Sequence, residues 1–76
     1  MIIKKYTNKW GTKILSLELN KDNNFIITLT RRIYNPQTEI TDYKPFNYGN
    51  IADKETALRF FEEKRKGFKL RINLLK

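Results

Sequence analysis

Phe25-Ile26-Ile27-Thr28-Leu29-Thr30-Arg31-Arg32-Ile33-Tyr34 has the composition and the period of a β-strand. Successive side chains on a strand point to opposite faces. Phe25, Ile27, Leu29 and Ile33 therefore share one face, which Arg31 interrupts near its end. Ile26, Thr28, Thr30, Arg32 and Tyr34 share the other. β-branched and aromatic residues dominate both faces. Just upstream, Leu15, Leu17 and Leu19 alternate with Ser16 and Glu18, the pattern of a half-buried strand. Asn20-Lys21-Asp22-Asn23-Asn24 between the two is a polar turn, because Asn and Asp bond their own backbone and tolerate left-handed φ. Downstream, Asn35-Pro36-Gln37-Thr38 is a second turn. Residues 39–44 then form a weaker third strand, ended by Pro45 and followed by a loop, Phe46-Asn47-Tyr48-Gly49-Asn50.

The period changes after that loop. Residues 53–66 read as a helix with Asp53 as its cap. Ala57, Leu58, Phe60 and Phe61 fall on one arc of it, and Glu55, Arg59, Glu62, Glu63 and Lys66 on the opposite side. Glu55/Arg59 and Glu62/Lys66 are i,i+4 pairs in the favourable order. Lys64, Arg65 and Lys66 lie at the negative end of the helix dipole, and Gly67 is positioned as a left-handed stop. In the tail, Phe68, Leu70, Ile72 and Leu74 alternate with Lys69, Arg71 and Asn73, which predicts an edge strand with a basic solvent face. Residues 1–11 are a basic lead-in in which Ile2 and Ile3 can start a short strand. The expected architecture is α+β: an antiparallel sheet of three to five strands with one helix on one face, in the order β-β-β-α-β.

Residues 1–76 suffice for one small basic domain, with 16 Lys and Arg against 8 Asp and Glu and a net charge of +8. Apolar residues make up 39 % of the chain, too many for a disordered chain, and no apolar run approaches the length of a membrane span. No signal peptide and no membrane partner are expected. With no Cys and no His, thiol and imidazole chemistry is excluded, and the cysteine-free composition fits a reducing cytoplasm. Glu55, Glu62 and Glu63 lie on the polar helix face, and Asp22 and Asp53 have turn and cap duties, which leaves Glu39 and Asp42 as the pair without an evident structural role. Glu39 and Asp42, three apart on a strand, point to opposite faces. Three isolated glycines make no phosphate loop. The expectation is a protein that is not an enzyme and has no catalytic residues, no metal site and no cofactor. A core this thin leaves room for stabilisation by a partner or by a homodimer.

The basic residues carry the functional signal. Arg31 and Arg32 end the central strand, Lys44 ends the third, and Lys64, Arg65, Lys66, Lys69 and Arg71 cluster around the helix end. Such groups attract phosphates through counterion release, and Arg offers a bidentate fork. Exposed aromatics among them can stack on bases. Tyr34 and Trp10 are the leading candidates, with Tyr6, Tyr43 and Tyr48 behind them. Trp10 reads equally as a core anchor, whereas Phe25, Phe46, Phe60, Phe61 and Phe68 read as core. The expected partner is DNA or RNA. The alternative is a small phage or mobile-element accessory protein that binds and modulates an acidic host protein through its basic surface.

Two resemblances bear on that expectation. Leu15-Ser16-Leu17-Glu18-Leu19 followed by residues 25–33 resembles the first long strands of WGR domains, and residues 55–68 resemble their closing helix with its Lys/Arg run, Gly and aromatic. This resemblance covers about residues 13–71 and implies a sheet on one helix and nucleic-acid binding. The Trp-Gly-Arg tripeptide itself is absent, and the region reads Thr30-Arg31-Arg32-Ile33-Tyr34. Arg32, then Arg31, carries over for the motif's Arg, and Tyr34 stands in for its Trp. Residues 25–64, with Lys44-Pro45, Gly49 and Ile51 before the helix, are similar to the Whirly and transcriptional-coactivator group of single-strand-binding proteins.

Overall fold

Asn20 reverses the chain after its first long strand. Its side-chain Oδ1 accepts from the Asp22 and Asn24 amides, both at 3.0 Å, and Asn23 takes the left-handed φ of 60°. The flanking strands then pair in an unbroken register from Leu19 opposite Phe25 to Lys13 opposite Arg31. The computed structural model describes residues 1–75. Its elements are β1 (Ile2–Thr7), β2 (Lys13–Leu19), β3 (Phe25–Asn35), β4 (Ile40–Ile51), α1 (Lys54–Gly67) and β5 (Ile72–Asn73). The strands form one antiparallel sheet in the order β4-β3-β2-β1-β5. The fold is α+β, as the patterning predicts, with four strands rather than three before the helix.

One helix covers one face. Leu15, Leu17, Phe25, Ile27 and Leu29 point at it, and it returns Ala57 and Phe61, all buried. Leu70, just beyond the helix, completes the core with none of its surface exposed. Asp53 caps α1, accepting from the Thr56 amide at 3.0 Å and the Thr56 hydroxyl at 2.6 Å. These bonds hold its carboxyl below the ordinary carboxylate range.

Three expectations are corrected. Pro45 does not end the third strand: β4 continues through it to Ile51, with Pro45 opposite Thr30. Proline is tolerated because β4 is the sheet's edge, where a missing amide need not break a ladder bond. Residues 46–50 are accordingly strand and not loop. The irregularity there is a bulge, since Ile26 pairs with Asn50 but Thr28 with Asn47, leaving Tyr48 and Gly49 opposite one residue. Gly49 supplies the φ of 112° that the bulge needs.

Gly67 is the second correction. It is the last residue of the helix, and the left-handed position falls on Lys69 at φ 57°. The Lys69 amide donates to the Lys66 carbonyl (3.1 Å) and the Leu70 amide to the Arg65 carbonyl (2.9 Å), the paired bonds of a Schellman motif. Two more helical residues fit before the reversal, and Leu70 is thereby turned into the core. This motif uses up residues 68–70, so the predicted tail strand shrinks to Ile72–Asn73. That remnant is an edge strand, pairing with β1 through Thr7 opposite Ile72.

Glu62 is the third. Its ion pairs are with Arg65 at 2.7 Å and with Lys4 of β1 at 3.8 Å, not with Lys66. Lys66 lies at the exposed helix end, whereas Arg65 is held against the sheet with its guanidinium 5.1 Å from the centre of the Tyr6 ring.

Candidate nucleic-acid interface

β3 and β4 outrun the helix. Residues 31–35 and 40–46 are exposed, beyond Lys13 of β2 the two strands run on as a two-stranded arm, and the molecule measures 43 Å along its longest axis against 24 and 21 Å across. The arm's two faces carry different chemistry because neighbouring strand residues alternate.

On the helix side, the register brings three cations into one row. Lys13 of β2 is opposite Arg31 of β3, which is opposite Lys44 of β4. Adjacent strands lie about 4.8 Å apart, so the row spans about 10 Å of sheet. Like charges placed directly opposite each other disfavour the pairing. Among the described residues, none of the three forms an ion pair. Beside the row is a groove of about 460 Å³, lined by Leu29, Arg31, Ile33, Lys44, Pro45, Phe46 and Tyr48. Aromatic rings form one side of it. Phe46 and Tyr48 meet edge to face at 5.0 Å between ring centres, and Tyr48 and Phe60 at 5.5 Å. The Lys64 ammonium lies 5.1 Å from the centre of the Tyr48 ring and brings a fourth cation to this side of the molecule. The Lys13 ammonium is 5.2 Å from the Phe68 ring, at the end of the helix.

The other predicted residues are distributed elsewhere. Arg32 and Tyr34 lie on the opposite face of the arm, with Arg32 opposite Tyr43. Arg31 and Arg32, adjacent in sequence, therefore cannot grip one phosphate together. Arg32 donates through Nη2 to the Trp10 carbonyl at 2.9 Å, tying the arm to the β1–β2 connection. Trp10 is 69 % exposed, which settles its two readings in favour of a surface residue. Arg65 is engaged within the fold. Its Nε and Nη2 donate to Glu62 and its Nη1 to the Leu70 carbonyl at 3.1 Å. The same bonds hold the Glu62 carboxyl below its ordinary range and raise the Arg65 guanidinium. Lys66 and Lys69 are exposed around the helix end, and Arg71 precedes β5, on the sheet edge away from Lys44.

Lys13 of the cation row and Phe46 of the groove escaped the sequence reading. Lys13 was legible, because a turn joining Leu19 to Phe25 fixes the register that sets Lys13 against Arg31. Phe46 was not. Taking Pro45 as the end of the strand placed Phe46 in a loop and assigned it to the core, whereas it is 59 % exposed at the groove.

No family model, no curated protein and no solved structure matches the chain. No helix among the described residues is long and apolar enough to cross a membrane.

Proposed function

We propose that the protein binds nucleic acid in the helix-side groove. Lys13, Arg31 and Lys44 contact phosphates, and the exposed ring of Phe46 offers a surface to a base. The observation that carries this reading is the row of cross-strand cations. A sheet gains nothing by aligning three like charges, whereas a polyanion bound along them relieves their repulsion and releases its own counterions. The net charge of +8 and both family resemblances support the same class of partner. Lys64 adds to the groove's field. Arg32, Tyr34 and Trp10 form a second exposed set on the reverse of the arm.

Fluorescence anisotropy with labelled single- and double-stranded oligonucleotides across a salt series tests the reading. Affinity falls log-linearly with salt, and each phosphate contact removed by Lys13→Ala, Arg31→Ala or Lys44→Ala makes the slope shallower by about 0.7–0.9. Phe46→Ala weakens binding by about 1–3 kcal/mol for each stacked base and leaves the slope unchanged. Absence of binding to DNA and RNA at low salt refutes the proposal.

A second reading, a protein partner, draws on a different observation. Ile33, Ile40 and Tyr43 on the arm are exposed apolar side chains that a phosphate backbone does not use. A stoichiometric partner retained after nuclease treatment, and lost on Ile33→Asp, favours that reading.

A further inference from the structure

Among the described residues, β4 is a long sheet edge with no strand beside it, and such an edge is a template for another strand. Which of its backbone groups are available follows from the ladder. The Arg32 amide donates to the Thr12 carbonyl at 2.8 Å, so Arg32 turns its backbone toward β2. Arg31 and Ile33 turn theirs toward β4, where their partners are Lys44 and Asp42. Thr41, Tyr43 and Pro45 are thus the residues of β4 that turn outward; Pro45 costs the β3–β4 ladder no bond and offers an outer strand its carbonyl but no amide.

We propose that two copies of the chain pair edge to edge through β4, antiparallel, about a two-fold axis at Tyr43. A two-fold interface must be complementary to itself, and this register is. Asp42 stands opposite the partner's Lys44, and Lys44 opposite the partner's Asp42. Ile40 stands opposite the partner's Phe46, and Tyr43 opposite the partner's Tyr43. These three apolar side chains are 55, 59 and 60 % exposed in the single chain, for Ile40, Phe46 and Tyr43. The Tyr43 amide donates to the partner's Tyr43 carbonyl, and the Thr41 amide to the partner's Pro45 carbonyl, each bond repeated by symmetry. Neighbouring registers fail. Centring the axis on Asp42 sets Asp42 against its own copy, and centring it on Lys44 sets Lys44 against its own copy, each a directly opposed like-charge pair. Because the axis is perpendicular to the sheet, the two sheets become one of ten strands with both helices and both Lys13–Arg31 pairs on the same face. Lys44 and Phe46 belong both to this interface and to the proposed nucleic-acid groove, so the dimer is tested on the chain free of nucleic acid, where its failure leaves the binding reading untouched.

Sedimentation equilibrium on the full chain, from low micromolar to near-millimolar concentration, reads the outcome, with far-ultraviolet circular dichroism confirming that each variant is folded. The wild-type chain shows a concentration-dependent dimer. Asp42→Lys and Lys44→Asp are each monomeric, since each sets like charges against each other. Mixing these two variants restores a one-to-one dimer, because every opposed pair is then Lys against Asp. The combined variant Asp42→Lys/Lys44→Asp also dimerises alone. A wild-type chain that stays monomeric throughout, or a dimer that both single reversals leave intact, overturns the proposal. Restoration on mixing could not come from either residue merely holding its own hairpin together.

Discussion

Replacing Gly67 with Ala separates two arrangements of the helix end by the sign of its effect. Gly67 lies inside α1, does not have a left-handed φ, and has open space where a β-carbon would sit. Glycine in a helix is less favourable than alanine by about 0.5–1 kcal/mol, through the chain entropy it loses on folding. Gly67→Ala therefore stabilises the protein by about that amount. In a domain of this size each kcal/mol shifts the melting temperature by about 4–8 °C, so the expected rise is about 2–8 °C. The reciprocal change is Lys69→Gly. It removes a left-handed lysine, whose conformation costs about 1–2 kcal/mol, but it gives back about 0.4–1 kcal/mol in the entropy of the unfolded chain. The net gain expected is about 0–1.6 kcal/mol, comparable to that of Gly67→Ala. Thermal unfolding followed by circular dichroism measures both. If Gly67 were instead the left-handed residue, Gly67→Ala would lower the melting temperature, and a fall would refute the Schellman geometry centred on Lys69.

Two further outcomes follow from the packing and the ion pairs. Phe61 is wholly buried and lies against Tyr6, their ring centres 5.9 Å apart; Phe61→Ala costs about 3–5 kcal/mol, comparable to the stability of so small a domain, and abolishes the cooperative melting transition. The Glu62 carboxyl is held below its ordinary value of 4.5 chiefly by the hydrogen bonds from Arg65, so its contribution to stability is present above that pH and is lost as the pH falls through the lowered value. Glu62→Gln is therefore less stable than wild type at neutral pH and loses less on acidification below about pH 5, a difference that melting curves across an acid series detect. Asp53, also held low, retains its own share of the acid sensitivity in that variant.

The parts of the fold that were legible in the sequence are those set by local pattern. The alternation of residues 13–33, the five-residue polar turn and the Asp53 cap each depend on neighbours in the chain. The misread parts depend on where an element sits in the sheet. A proline is a strand breaker in the middle of a sheet and a neutral residue on its edge, and no local pattern says that β4 is an edge. The same error concealed the groove, because Phe46 acquires its position only if the strand continues past Pro45. At the helix end, the choice between Gly67 and Lys69 was made by Leu70. Stopping at Gly67 would have spared a lysine its left-handed conformation, but the motif centred on Lys69 brings a large apolar side chain under the helix. As for the site, the cations were identifiable as residues, but their division between two faces follows from strand parity at Arg31 and Arg32. The link from Arg65 to the Leu70 carbonyl required the three-dimensional path of the tail.

The pairing of β5 with β1 gives the fold a temporal order. Of the elements described, β1 is made before the rest, yet its outer neighbour is made only with Ile72 and Asn73, and the Leu74 amide reaches back to the Lys5 carbonyl at 2.8 Å. Loop-closure entropy for contacts so far apart in the chain must be met before they contribute anything. A nascent chain ending at Gly67 would hold the four-stranded meander and the helix, but with Leu70 missing from its slot. Closure of the core thus waits on Leu70 and β5, and a chain cut short before Leu70 would be left hollow and sticky.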